Sequence, residues 1–234
     1  MKQVLYGFGV AALLVLIGWQ WQKNSSTKVE NVTVTGPKPA EKVAYVTFDD
    51  GPSEITPGIL DTLKKYDAKA TFFLIGEEIT EEREEIVKRE IEEGHSVGVH
   101  TYCHKKEEMY CNKEYFWNDF EKCKTRIEEV IGKPVSLHRF PWGSNNGYVC
   151  PLVDDLMEEL QKKKITSFDW NVSGEDSVAV GVPMASIYLN VKKDLDKYDN
   201  PIILLHDSNT MKNTAAVLPE ILEMIKEKGY RFDT

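Results

Sequence analysis

A surplus of positive charge is missing from this sequence. Its 234 residues carry 29 lysines and arginines against 38 aspartates and glutamates, a formal net charge of −9. Binding to nucleic acid needs a basic footprint to displace the counterions on phosphate, so that class of partner is excluded. No basic patch is present for anionic lipid either. Cysteine is sparse. The four residues Cys103, Cys111, Cys123 and Cys150 include no CxxC pair, which argues against a zinc ribbon. In an exported chain they allow three full disulfide connectivities. No internal repeat runs through residues 42–234. Histidine is scarce too: there are only five, and two of them fall within one five-residue stretch.

Hydrophobic residues make up 41% of the chain, enough to bury a sizeable core, and the length suits one catalytic-sized domain with additions. The additions are at the N-terminus. Residues 4–19 (VLYGFGVAALLVLIGW) have no charge, follow Lys2, and with Gln20 and Trp21 approach the length of a membrane span. Trp19 and Trp21 suit a membrane–water interface. The run ends in IGWQWQKN with no small-x-small cleavage site, which favours an uncleaved anchor over a removed signal peptide. Residues 22–41 are polar and end in GPKPAE, as a tether does. The expected organisation is an anchor over 1–21, a linker over 22–41 and a domain over 42–234.

Within the domain, β-rich runs at 43–48, 70–75, 96–100, 135–140, 165–170 and 201–206 alternate with helical patterns at 86–94, 120–132, 153–163 and 217–229. This alternation predicts an α/β fold with parallel strands, either a barrel or a doubly wound sheet. The stretch from Glu77 to Glu93 holds nine glutamates and is read as a solvated outer face with pairs such as Glu84–Lys88, not as a site.

The residues able to do chemistry fall at the strand ends. Asp49 and Asp50 close the first run, His100 closes the third with His104 just beyond, Arg139 closes the fourth, Asp176 follows the fifth, and His206 and Asp207 close the sixth. In barrels and open α/β sheets alike, active sites form at the carboxyl ends of the strands. Two adjacent carboxylates can divide the work, one holding a metal while the other accepts a proton from the attacking water. Histidines at i and i+4, joined to Asp50, make a two-His-one-carboxylate set with open positions, which marks catalytic rather than structural metal. Cys103, between the two histidines, is poorly placed to reach the same ion. His206 is a candidate general acid, whereas His95 and His138 are read as structural.

Five segments, TFDDGPS (47–53), HTYCH (100–104), RFPWG (139–143), DWNVSGED (169–176) and LLHDS (204–208), resemble the ordered motifs of the polysaccharide deacetylases, carbohydrate esterase family 4 with its NodB homology domain. The resemblance runs from about residue 42 to the end of the sequence. It implies a distorted (β/α) barrel of about seven parallel strands, the last at 230–233. It also implies roles: Asp49 as catalytic base, Asp50, His100 and His104 as ligands of a divalent metal, usually zinc, and Arg139 as the residue orienting the base. The backbone N–H of Trp142 corresponds to the oxyanion donor, His206 to the general acid and Asp176 to its partner. Pro141 and Leu204, with Trp142, fall where substrate is bound. Ser177 departs from the pattern, since many members carry a groove-lining tryptophan there. The implied activity is hydrolysis of N-acetyl groups on a polysaccharide, with peptidoglycan as the leading substrate and acetylxylan or chitin oligomers as alternatives. A glycan-binding module without activity would lack the base, a ligand or the acid, and all are present. The implied location is the outer face of the cell membrane, or the exterior if the N-terminal segment is cleaved. No obligate protein partner is implied.

Overall fold

The structure is a computed structural model and describes residues 41–234. The expected anchor (1–21) and all but the last residue of the expected linker (22–41) lie outside the described residues. Strands and helices alternate as the hydrophobic pattern predicts. β1 (Val43–Gly51) leads to α1 (Thr56–Lys65), β2 (Ala70–Ile75), a 3-10 turn (Gly76–Glu78), α2 (Glu84–Glu92) and β3 (Ser96–Thr101). The short α3 (Lys106–Met109) and the long α4 (Lys113–Ile131) then precede β4 (Leu137–His138), α5 (Val153–Lys162), β5 (Thr166–Ser167) and β6 (Val172–Ser173). The chain closes with α6 (Met184–Leu195), β7 (Ile202–His206), α7 (Lys212–Glu227) and β8 (Arg231–Phe232).

Every strand pairing is parallel, in the order β5-β4-β3-β2-β1-β7-β6, with β8 set against the start of β1. The two outermost strands of this path, β5 and β6, are consecutive in the chain yet unpaired with each other among the described residues. The sheet therefore curls into a barrel with an open seam, crossed by residues 168–171. The sequence pattern read 165–170 as one strand. The structure divides this region because β5 pairs with β4 whereas β6 pairs with β7, on opposite sides of the seam. Asp176 accordingly follows β6.

Side chains alternate across each strand. Val46 and Phe48 of β1, Phe72 and Leu74 of β2, Val97 and Val99 of β3 and Ile203 and Leu205 of β7 form the outer row. They are buried in one core with helix residues such as Leu60, Val87, Phe120, Ile127, Val191 and Ile221. The inner row carries Thr47 and Asp49, Phe73, Arg139, Leu204 and His206. α4 shows why its span is helical: Asn112 caps the start by accepting the Tyr115 N–H at 3.1 Å, and Gly132 ends the helix at φ 69°. The helices α1 and α6 are absent from the sequence reading; Pro57 stands in the first turn of α1 and Pro183 is the N-cap of α6. Proline in the first turn is compatible with a helix, because the missing N–H has no intrahelical partner there.

The glutamate-rich stretch is largely the solvated face expected, with Lys88 near Glu84 (4.0 Å) and Glu85 (2.6 Å). Glu90 is the exception. It is fully buried and neither carboxylate oxygen has a partner. Burial, and then the nearby Asp207 charge, raise its pKa well above the usual carboxylate range, so the side chain is held neutral.

Candidate active site

In a regular strand Asp49 and Asp50 would face opposite sides of the sheet. Here the β1–β2 register runs Asp49↔Phe73 and then Gly51↔Leu74, so Asp50 is an extra residue. Asp50 takes φ 77°, which turns it out of the alternation. β3 does the same on the other side of β2: Leu74 pairs with Val99 and Ile75 with Thr101, leaving His100 as the extra residue. Two bulges flanking one strand thus place the Asp50 and His100 side chains at the same rim. His104, in the following loop at φ 52°, completes the group.

The Nε2 atoms of His100 and His104 each lie 3.5 Å from Asp50 Oδ1, and the three candidate ligand atoms fall within 4.8 Å of one another. His100 Nδ1 lies 3.0 Å from the Arg139 carbonyl, which can only accept, so Nδ1 carries the proton and Nε2 presents a lone pair. Burial lowers the His100 pKa to about 3, so the ring is neutral and its approach to Asp50 is no ion pair. Asp50 Oδ1 is itself buried without a hydrogen-bond partner. Asp50, His100 and His104 could together hold a metal ion. Tetrahedral zinc with ligand bonds of about 2.0–2.2 Å separates its ligand atoms by roughly 3.3–3.5 Å, close to the two 3.5 Å separations from Asp50 Oδ1.

Beside this group lies Asp49, nearly fully buried. Its Oδ1 accepts from Arg139 Nη1 at 2.9 Å. Arg139 is itself held by Thr47 Oγ1 (2.6 Å), the Phe168 carbonyl (3.0 Å) and the Asp169 carbonyl (3.3 Å). Burial raises the Asp49 pKa, with Arg139 pulling the other way. A cavity of about 460 Å³ lies inside the barrel below Arg139, away from the metal-ligand rim.

His206 pairs with Asp49 in the β1–β7 register. Asp176 Oδ1 lies 2.8 Å from its Nδ1, and Asp176 Oδ2 accepts both the His206 backbone N–H and the Thr214 hydroxyl at 2.8 Å. Burial opposes the imidazolium, yet the Asp176 hydrogen bond and charge, together with Asp49 and Asp50, raise the His206 pKa to about 9. Leu204 lies two residues back on the same inward face and is 5% exposed. Trp142, at φ 63°, packs at a tilt against His104 (ring centroids 4.7 Å) and edge-on to Tyr148 (5.7 Å). The Pro141 carbonyl is tied to Tyr110 (3.3 Å) and Asn146 (3.0 Å).

The family model described as polysaccharide deacetylase matches residues 36–158. This chain belongs to the polysaccharide deacetylase family, and it is a hydrolytic deacetylase. A peptidoglycan-N-acetylglucosamine deacetylase of Bacillus cereus is 39% identical over 196 residues, covering 82% of this chain and 68% of that protein. The catalytic domain of peptidoglycan N-acetylglucosamine deacetylase from Eubacterium rectale superposes with a TM-score of 0.76 at 29% identity, covering 86% of this chain and 91% of that one. The carbohydrate esterase domain of a multidomain xylanase from the hindgut metagenome of Trinervitermes trinervoides gives a TM-score of 0.70 at 30% identity, covering 83% and 87%.

All the site residues named from the deacetylase motifs lie around this one rim, on β1, β3, β7 and the segments that follow β3, β4 and β6. Sequence reading missed Asp119 of α4. Its carboxylate accepts from Thr101 Oγ1 (2.7 Å), Tyr102 N–H (2.8 Å) and Cys103 N–H (3.2 Å), gripping the turn between His100 and His104. Its only sequence signal is an acid on an otherwise ordinary helix. Asp207 was noted without a role. It is buried, accepts from Thr56 Oγ1 at 2.6 Å, and has its pKa raised to about 7 by burial. All four cysteines are free thiols, and Cys103 is pushed up to about 12 by burial. His95 and His138 are buried, with Nδ1 facing the Ala70 N–H and the Ser167 hydroxyl.

Proposed function

We propose that this deacetylase removes N-acetyl groups from peptidoglycan, with a zinc ion held by Asp50, His100 and His104. The observation that carries the reading is that two proton-handling pairs, Asp49–Arg139 and Asp176–His206, share the rim with the Asp50, His100 and His104 group, whose Asp50 Oδ1 is buried without a hydrogen-bond partner. Two imidazoles and one carboxylate suit zinc among the common divalent ions. Once bound, such an ion supplies Lewis-acid polarisation of the acetamide carbonyl.

The chain's own groups do the rest. Asp49, with Oδ1 held by Arg139, takes a proton through Oδ2 from the water that attacks the carbonyl. Among the described residues the Trp142 N–H has no protein acceptor, which leaves it for the developing oxyanion. His206, charged and held at Nδ1 by Asp176, gives its Nε2 proton to the leaving nitrogen, which departs as a neutral amine. Leu204 and Pro141 bound the space for the acetyl methyl and the sugar. Peptidoglycan is favoured by the named activity of the Bacillus and Eubacterium relatives. The likeness to a xylanase-linked domain supports acetylxylan as the second reading. We also propose that residues 4–21 hold the domain at the outer face of the cell membrane.

The test is incubation of the metal-loaded protein with peptidoglycan, chitin oligomers and acetylxylan, with mass spectrometry to locate lost acetyl groups. Loss from peptidoglycan glucosamine is the expected result. Loss confined to acetylxylan would replace the first reading with the second.

A further inference from the structure

Ser177 follows Asp176 directly. The chain reverses before both of them: Glu175 takes φ 51° and its N–H donates to Ser173 Oγ at 3.0 Å. This turn buries the Asp176 carboxylate against one side of the His206 ring and leaves Ser177 exposed at the other. Ser177 Oγ lies 3.3 Å from His206 Nε2, the nitrogen that faces the substrate in the mechanism above. Asp176 Oδ1 occupies Nδ1, so the Ser177 hydroxyl is the one protein group within hydrogen-bond distance of Nε2 among the described residues.

We propose that Ser177 is a positioning residue for the acid: in the substrate-free enzyme its hydroxyl accepts the Nε2–H of His206, and the leaving nitrogen takes its place when substrate binds. This rests on His206 acting as the acid. The ring is then bonded at both ends while it waits, between a carboxylate and a hydroxyl, and its proton already points towards the groove. A protonated imidazole is a donor at both nitrogens, so an unfilled Nε2 would leave half of its charge to bulk water. The charged groups facing the ring are Asp176 after β6, Asp49 and Asp50 on β1, and the adjacent Asp207. Ser177 is neutral, so removing its hydroxyl alters hydrogen bonding to the ring and leaves this charge set intact.

The two pH profiles of the enzyme separate the proposal from a general structural effect. The profile of kcat/KM reports the free enzyme and that of kcat the substrate complex. In the full metal-loaded chain, Ser177→Ala should move the alkaline limb of kcat/KM down by about half a pH unit. That is roughly a threefold change in the proton equilibrium, small because the bond is partly exposed. The alkaline limb of kcat should stay in place, because substrate has by then displaced the hydroxyl. Ser177→Thr should restore the wild-type profile. Nitrogen-15 NMR of the His206 ring in the substrate-free, zinc-loaded protein gives the same comparison without turnover, so it remains decisive even if the chain proves inactive on every glycan tried. A His206 titration unchanged in Ser177→Ala overturns the proposal, and so does an equal movement of both kinetic limbs.

Discussion

At the scale of single residues, six non-glycine residues among those described adopt positive φ, and their placement is uneven. Asp67 and Lys164 come just after α1 and α5, where left-handed residues commonly end helices. Asp50, His104, Trp142 and Glu175 all border the candidate site. Such conformations cost on the order of 1–3 kcal/mol each and persist where the surroundings over-determine them. Here each one redirects a side chain or backbone group that a regular strand or turn would aim elsewhere. Asp49 and Asp50 are identical in chemistry, so their environments must divide the work between them. Asp50→Asn should weaken metal binding, seen as a lower metal content after dialysis. Asp49→Asn should keep the metal and lose about 100- to 10,000-fold in kcat, the range expected for loss of a general base. His206→Ala should keep the metal and lose the alkaline limb. The sign follows from the acid role: His206 must be protonated, so activity falls as pH rises through its pKa. That pKa is about 9 in the protein without a metal. A bound divalent cation beside Asp50 disfavours the imidazolium and shifts the limb towards neutrality. If Asp49→Asn strips the metal while Asp50→Asn keeps both metal and activity, the two aspartates have been assigned the wrong way round.

Among the elements, β2 and α4 build the site while contributing none of its expected ligands. β2 is a regular six-residue strand, and the strands on either side each slip by one residue against it, at Asp50 and at His100. α4 then fixes the loop that carries His104. Asp119 takes three hydrogen bonds from residues 101–103, and the Thr101 hydroxyl that it binds also accepts the His104 N–H at 3.3 Å. Groups that orient metal ligands from behind are commonly worth 10- to 100-fold in metal affinity. Asp119→Ala should therefore raise the zinc dissociation constant by about that factor, measured by competition with a chelating dye, while far-ultraviolet circular dichroism stays near wild type. An unchanged zinc affinity in a folded variant would show that the turn holds its shape without the clamp.

For the whole molecule, the described domain buries its apolar outer rows under helices and gathers its ionisable inner row at one end of the barrel. The acidic balance of the sequence agrees with a neutral glycan as substrate and gives no basic surface for a membrane. Membrane association is therefore expected to depend on residues 4–21 alone. Expressed in a bacterial host, the full chain should fractionate with membranes and retain its N-terminal segment on protein sequencing. A chain starting at residue 42 should remain soluble in the same assay. A mature terminus near residue 25 would identify the segment as a cleaved signal peptide.

The sequence by itself determined the alternation of strand and helix, the strand ends as the location of chemistry, and the family, because hydrophobic period and short contiguous motifs are local properties of a chain. The grouping of Asp49, Asp50, His100, His104, Arg139 and His206 in short motifs at or just past the strand ends was legible for that reason. What only the tertiary structure decided depends on residues far apart in the chain. The bulges that bring Asp50 and His100 to one rim exist only as register shifts against β2. The seam between β5 and β6 arises because each pairs with a different neighbour. Asp119 holds the loop before His104 across 16 to 18 residues, and the Ser177 hydroxyl meets His206 across 29. Glu90, one glutamate among nine, is buried because its face of α2 turns towards the core. No local pattern encodes such pairings, since they are set when the sheet curls and the helices pack against it.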